Sequence, residues 1–332
     1  MQAEILRGSA GPNPDLYHAQ RDEQKRSKAR STTRLQLSAI TRAREREHGS
    51  RLVLRFSLVL ATVDRVSEVE RFLKSLDSQT YREFDVVVVD QNKDERLMSI
   101  LTSHRKRLSI LHLRSEPGLS RARNVGLQYL TGDVVAFPDD DCSYPPELLG
   151  HVAHILRAHP QLDGLTGRMT DEYGRSGTAR FDRRPGLLAQ VNVSQRATSI
   201  SLFLRGEIIK AVGDFDETLG VGAGTFWGGG EDIDYALRAV EAGFKVYYRP
   251  DVLVFHPSPP ALDYSKLAHR AFRYGAGIGR VWRKHDFPLW LVAYYLVRPA
   301  GGSILSLLRG RKSKAHYHFS AFQGRFRGWL SG

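Results

Sequence analysis

Four short apolar runs alternate with helix-like segments between residues 54 and 137, and this alternation limits the fold more than any other feature of the chain. The runs are Leu54–Ala61 (LRFSLVLA), Phe84–Asp90 (FDVVVVD), Leu108–Leu113 and Val134–Phe137. Four consecutive valines in the second run predict a strand covered on both faces, since a half-exposed strand would alternate apolar with polar. Between the runs, Glu68–Gln79 places Val69, Phe72, Leu73 and Leu76 on one helical face, and Asp94–His104 reads as a second helix. Ser120 is placed to N-cap a third helix running to Leu130. Repeated strand–helix–strand units imply right-handed crossovers and a parallel, Rossmann-like sheet. Ligands of such sheets bind beyond the carboxyl ends of the strands.

Polar residues collect at those ends. Thr62 and Asp64 follow the first strand, Asp90 closes the second, and Asp139, Asp140 and Asp141 close the fourth. Carboxylates this close repel, and they stay ionised together only around a cation. A hard divalent ion sharing its shell with phosphate oxygens suits them. A solvated Asp/Pro turn gives the same three letters, so the triplet alone leaves both readings open. Acids after three of four parallel strands weigh toward a site. The chain has no GxxxxGK[ST] and no GxGxxG, which argues against a P-loop NTPase and a standard NAD enzyme. A bound diphosphate would therefore depend on a metal.

Further along, a helix is expected from Pro145-Pro146 to Ala158, an irregular, mobile surface loop over 171–197, a strand at Ile200–Leu204 and a turn at Val212–Leu219. Glu231–Ala242 (EDIDYALRAVEA) is an amphipathic helix stopped by Gly243, and Phe244–Tyr248 and Val252–Phe255 read as two strands. The single cysteine, Cys142, allows no intramolecular disulfide and is read as a small packing residue.

The segments ATVDR, SLDSQTYREFDVVVVDQN, GLSRARNVGL, GDVVAFPDDDCSYPPELL, VGDFDETLG and GGGEDIDYALRAVEAGFKVYYRPDVLVFH occur in that order between Phe56 and His256. Together they resemble the family 2 glycosyltransferases of GT-A fold. The resemblance implies an α/β architecture with a GT-A Rossmann-like, mainly parallel sheet flanked by helices. It also implies metal-dependent, inverting transfer of a sugar from a UDP-, dTDP- or GDP-linked donor to a hydroxyl of a glycan or lipid-linked acceptor, in cell-surface polysaccharide or glycoconjugate synthesis. By the same resemblance, Thr62 and Asp64 cradle the nucleotide, Asp90 meets the nucleobase, and Arg123 and Asn124 line the nucleotide pocket. Asp139 approaches the ribose and Asp141 binds Mn²⁺ or Mg²⁺, with Asp140 between them and a one-residue ambiguity in the register. Asp232, or alternatively Glu231, is the base, and His256 is a further metal or diphosphate contact. From the residues alone, Glu231-Asp232 also reads as helix N-terminal stabilisation and His256 as a structural histidine. Trp227, Gly229 and Gly230 are expected beside the acceptor, with core packing the alternative for Trp227. The QxxRW motif of processive members is absent, which implies one transfer per encounter.

Charge divides the chain into three parts. Residues 1–50 carry +4, residues 51–263 carry −3 and residues 264–332 carry +12. The first is read as a basic, disordered extension, the second as the catalytic domain and the third as a basic, amphipathic helical tail. In that tail, Phe287–Val297 (FPLWLVAYYLV) is interrupted at Arg298-Pro299 and resumes at Ser303–Leu308. Its uninterrupted apolar length is too short to span a bilayer, and its basic flanks suit a monotopic or re-entrant contact with an anionic membrane surface, a core helix packed on the catalytic domain being the alternative. With no signal peptide visible, the expected place is the cytoplasmic side, peripheral on the inner face of the cell membrane. No nucleic-acid partner is expected, because the aromatics interleave with long aliphatics. The competing classes are a nucleotidyltransferase, and a non-catalytic sugar-nucleotide or nucleic-acid binding protein that uses the tail.

Overall fold

The computed structural model describes residues 53–176, 180–257 and 263–331. The extension expected over 1–50 lies outside the described residues. From Val53 onward the chain is one compact unit. The first half follows the expected repeat: β1 (Phe56–Thr62), α1 (Val66–Asp77), β2 (Phe84–Asp90), α2 (Met98–His104), β3 (Ile110–Arg114), α3 (Leu119–Leu127), β4 (Val134–Ala136) and α4 (Leu148–Ala158). Then come β5 (Gly164–Thr170), β6 (Gly186–Leu187), α5 (Val193–Arg196), a 3₁₀ turn at Ser199–Ser201, β7 (Phe203–Arg205), α6 (Gly206–Val212), α7 (Glu231–Glu241) and β8 (Val246–Phe255). The chain ends in three long helices, α8 (Tyr264–Lys284), α9 (Leu289–Leu308) and α10 (Lys312–Leu330).

The strands form one sheet in the order β3-β2-β1-β4-β7-β5-β8-β6. Pairing is parallel through β3, β2, β1 and β4, and antiparallel where β7 joins β4 to β5. All seven residues of β1 and of β2 are buried. Alternate residues serve opposite faces. Phe56, Leu58, Leu60, Val86 and Val88 join the core built with Phe72 and Leu76 of α1 and Val152 and Leu156 of α4. On the other face, a Cβ at Gly126 of α3 would lie 2.5 Å from Val59 Cγ1, so that helix sits directly on the sheet. Cys142 is buried in the core, as read from the sequence.

Several segments depart from the sequence reading. β5 (GLTGRMT) carries little apolar signal, yet β7 and β8 hold it on both sides. The two strands expected at 244–255 are one, β8, whose pairing with β5 shifts register between Thr166 and Arg168. Pro250 falls in the displaced stretch, where its missing N–H costs no ladder bond. The segment 171–197, expected to be irregular, contains β6 and α5, and Arg196 anchors it by donating to Asp182 at 2.7 Å. Val212–Leu219 is preceded by a helix, α6, that the turn reading did not include.

Arg298-Pro299 does not interrupt α9, which runs unbroken for 20 residues. A proline inside a helix frees the carbonyl four residues earlier. Here that group is the Tyr295 carbonyl, and Arg325 of α10 donates to it at 2.9 Å. A neighbouring helix thus supplies the hydrogen bond that Pro299 cannot.

α8 and α10 cross at small residues. A Cβ on Gly279 would lie 2.0 Å from the Arg325 carbonyl oxygen, and one on Gly328 would lie 1.9 Å from that of Ala276. Gly328→Leu is expected to cost about 3 kcal/mol in urea unfolding, by overpacking a backbone contact that has no slack.

α8 is also tied to α7 by charge. Lys284 Nζ reaches Asp216 at 2.7 Å and Asp234 at 2.8 Å. The His285 ring lies 2.9 Å from Asp234 and 2.7 Å from Glu241. Burial pulls the His285 pKa down, but the two carboxylates outweigh it and leave it above the usual 6.5. Burial raises Asp234, whereas His285 and Lys284 pull it down further, to about 2. His285 therefore contributes stability that is complete below 6.5 and is lost as pH rises through its folded value. Unfolding free energy is expected to fall over that window in the natural chain and to lose this slope in His285→Gln.

Candidate active site

The acids of the DDD triplet point in different directions. Asp140 is buried: it accepts from Thr62 Oγ1 at 2.7 Å and from Arg65 at 2.8 Å. Burial pushes its carboxyl up to about 6, against the pull of Thr62 and Arg65. Asp141 pairs with Arg65 and lies 3.3 Å from His256 Nε2. Burial works to raise Asp141, but the hydrogen bonds and charge of His256 and Arg65 hold it well below the usual carboxylate range. His256, just past β8, is raised in turn, chiefly by its hydrogen bond to Asp141.

Asp139 continues the line of β4 in an isolated parallel bridge to Ala61. Its side chain is 38% exposed, yet burial among protein groups is the strongest influence on it and raises its pKa. Both facts fit a carboxylate on the floor of a cleft, walled by protein and still reached by water. Arg123 donates to it at 3.1 Å, and its other terminal nitrogen donates to Glu231 at 3.3 Å. Arg123 is 1% exposed, so this guanidinium is a buried link between the end of β4 and the start of α7. Burial pushes Glu231 up to about 7, and the Asp232 charge adds to the rise.

Asp232 stands in the first turn of α7. Its two oxygens accept from the Ser199 N–H at 3.1 Å and from the Ile233 N–H at 2.8 Å. It follows directly on Glu231, which Arg123 links to Asp139. The residue before α7, Gly230, has φ +89°, a region that L side chains avoid. The preceding glycines are packed, not loose: a Cβ on Gly277 of α8 would lie 1.8 Å from the Gly229 carbonyl oxygen. Gly229 and Gly230 are therefore covered by α8. Trp227 faces the same helices, donating to Ser331 Oγ at 3.1 Å with Arg280 stacked on its ring at 4.9 Å.

The remaining nucleotide-side residues divide similarly. Asp64 has φ +58° and an exposed carboxylate paired with Arg96 at 2.8 Å. Asp90 is fully buried and accepts from the Asn92 amides at 2.9 and 2.7 Å, with His112 at 3.0 Å and Arg114 at 2.9 Å. It organises the end of β2 by holding Asn92, His112 and Arg114. Asn124 turns away from the triplet and clamps the loop after α6, bonding the Phe215 N–H at 2.7 Å and the Phe215 carbonyl at 3.0 Å. Ser120 does not cap α3, whose N-cap is Gly118; its hydroxyl donates to the Leu219 carbonyl at 2.7 Å. α3 thus holds both ends of that loop.

Sequence reasoning missed Arg65 and Tyr274. Arg65 lies one residue past Asp64, and nothing in DRVSEVE marks it as the partner of two aspartates 75 and 76 positions away. Tyr274, on α8, packs over Gly229 and feels the charges of Glu231 and Asp139. Its helix lies outside the motifs that point to the site.

The sheet is mixed, with helices on both faces, and acids gather beyond the ends of β1, β2 and β4. Residues 57–203 match the model of Glycosyl transferase family 2. The match stops short of Glu231, Asp232 and His256. Glycosyltransferase AglE of Haloferax volcanii is 26% identical over 260 residues, covering 73% of this chain and 82% of its own length. Pre-mycofactocin glycosyltransferase of Mycobacterium tuberculosis is 29% identical over 196 residues, covering 54% of this chain and 38% of its own length. Among solved structures, the mannosyltransferase PcManGT of Pyrobaculum calidifontis, in complex with GDP-Man and Mn²⁺, superposes with a TM-score of 0.58 at 17% identity, covering 90% of this chain and 97% of its own. That likeness concerns the fold.

Arg123→Met should leave Glu231 and Asp139 without their shared cation. A loss of ~3–5 kcal/mol in unfolding free energy is expected at neutral pH. The deficit should shrink as acid protonates the two carboxyls, whose folded pKa values are already raised.

Proposed function

We propose that the chain transfers a sugar from a nucleoside-diphosphate donor to a hydroxyl of a glycan or lipid-linked acceptor, with inversion at the anomeric carbon and with Mn²⁺ or Mg²⁺ bound at Asp141. The observation that carries this reading is the meeting in one cleft of acids from separate parts of the chain: Asp139–Asp141 after β4, and Glu231-Asp232 at the start of α7. His256 joins them from the end of β8.

The donor set fits a divalent ion. Asp141 and His256 are already adjacent, and Asp139 stands on the cleft floor beside them. Among the described residues no group of three or more His, Cys, Asp or Glu side chains is placed to hold a metal ion by itself. Mg²⁺ sites that act on phosphates commonly take only one or two carboxylates from the protein and fill the shell with phosphate and water. The cations now on Asp141, from Arg65 and His256, mark where positive charge is wanted. Bound there, such an ion would neutralise charge on the departing diphosphate.

The residues of the chain do the rest. Asp140, held by Thr62 and Arg65, fixes the direction of the triplet. Arg65 borders the space above Asp141 and supplies a second positive group for the diphosphate. Asp232 is oriented by the Ser199 and Ile233 N–H groups in the first turn of α7. It accepts the proton of the acceptor hydroxyl as the new C–O bond forms on the face opposite the leaving diphosphate. Glu231 and Arg123 beneath it set its place. Asp90, sealed under Arg114 and Asn92, positions those two groups toward the base of the nucleotide. The GDP-Man and Mn²⁺ held by PcManGT support a donor of this class, UDP-, dTDP- or GDP-linked.

The test is release of nucleoside diphosphate from a panel of nucleotide sugars, with Mn²⁺ or with EDTA. One donor should turn over and EDTA should stop it. Asp141→Ala should remove the metal dependence together with the activity. Asp232→Asn should cut turnover by roughly 10²–10⁴-fold while leaving donor binding in place. Turnover of no donor, or full activity in Asp232→Asn, would refute the assignment.

A further inference from the structure

We infer that α9 and the turn joining it to α10 form a docking surface for an anionic lipid bilayer, with α9 lying in the plane of the interface. This conclusion is independent of the transfer reaction.

α9 has two distinct sides. Leu291, Val292, Tyr295, Pro299, Ser303 and Ser306 are buried and fall on one stripe at 100° per residue. The opposite stripe carries Trp290 (63% exposed), Val297 (67%), Ile304 (61%) and Leu308 (80%), with Leu289 (71%) on its flank. Tyr294, Leu305 and Leu307 are exposed beside them. Isolated exposed apolar residues are ordinary, but a stripe of this length on one helix marks a contact surface. Trp290 and Tyr294, near its start, carry the amphipathic rings that settle at headgroup depth.

The helix has the length and composition to cross a bilayer, but its packing does not allow it. The buried stripe is occupied along the whole helix. Tyr295 stacks on Trp282 of α8 at 5.4 Å, Arg325 of α10 donates to the Tyr295 carbonyl, and Ser303 donates to the Ala315 carbonyl at 3.0 Å. A crossing α9 would pull α10, with Arg325 and Arg327, into hydrocarbon. Lying flat, it wets only the exposed stripe with lipid.

Charge selects the bilayer over other apolar partners. Arg298 falls at the edge of the exposed stripe, placed to extend toward headgroups. At the far end stands a recess of about 580 Å³ lined by Tyr264, Gly310, Arg311, Lys312, Ser313 and Lys314. Residues 264–332 contain one acid, Asp286, against thirteen Lys and Arg. A second copy of this chain on the same face would set like charge against like. An anionic headgroup layer complements both the charge and the apolar stripe.

The experiment is flotation of the full chain with vesicles of phosphatidylcholine alone, or of phosphatidylcholine with phosphatidylglycerol, across a salt series. The natural chain should float with the anionic vesicles and stay in solution with the neutral ones. Ile304→Asp/Leu308→Asp should weaken association by about tenfold or more. Arg311→Glu/Lys312→Glu should abolish the preference for anionic lipid and flatten the salt dependence. Both variants should retain donor hydrolysis, which separates this surface from the chemistry of the cleft. Three results would overturn the inference: no flotation of the natural chain, equal flotation of both variants, or resistance to alkaline extraction, which indicates a crossing helix. A dimer without lipid that Ile304→Asp/Leu308→Asp dissociates would assign the stripe to a second copy instead.

Discussion

The site depends on one buried guanidinium. Arg123 comes from α3, on one face of the sheet, and reaches Asp139 beyond β4 and Glu231 at the head of α7. A charge this deep is costly unless it is fully matched, and two carboxylates match it. The cost imposes position: α3, β4 and α7 cannot shift apart without exposing an unpaired charge. Asp139 and Asp232 therefore keep a fixed relation even though more than ninety residues of chain separate them. Phe215 supports the same point from below, with Arg123 over its ring at 5.4 Å and Asn124 bonded to its backbone.

The C-terminal helices complete the cleft as well as extending the chain. α8 lies against the glycines ahead of Asp232 so closely that neither surface tolerates a side chain, and the Lys284–His285 pair locks its end to α7. Whatever bears on α8 therefore bears on the helix that carries Asp232. α9 and α10 brace α8 through Trp282, Arg325 and the crossing glycines. The glycines of GGGED, expected from the sequence beside the acceptor, are in the fold a close-contact seat for α8.

The legible part of the sequence was what local pattern controls. Continuous valines gave β2 to the residue, and Val69, Phe72, Leu73 and Leu76 gave the buried face of α1. The acids at strand ends were legible because a parallel sheet sends all its carboxyl ends the same way, so Thr62, Asp90 and Asp139 had to assemble. What local pattern does not control was missed. β5 is a strand because its neighbours hold it, and GLTGRMT contains no periodicity to reveal that. α9 survives Pro299 through a hydrogen bond from Arg325, 26 positions later. The role of Ser120 was misplaced for a related reason: a polar residue at a helix start has two possible directions, and the loop after α6, packed against it, decides.

The DDD triplet shows how packing divides labour that composition leaves equal. Three adjacent carboxylates cannot all point into one cleft without severe repulsion. The fold turns the middle one inward, onto Thr62 Oγ1 and Arg65, where burial favours its neutral form at mildly acid pH. Asp139 and Asp141 are left facing the cleft, each with its own cation, Arg123 for one and His256 with Arg65 for the other. Asp139's cation is a structural strut, and removing it would loosen α7. Those at Asp141 come from Arg65, just ahead of α1, and from His256, beyond the end of β8, both partly exposed side chains. Of the two outward acids, Asp141 is thus the one whose partners could give way to a dication without unfastening the frame, and this supports the proposal that the metal binds there.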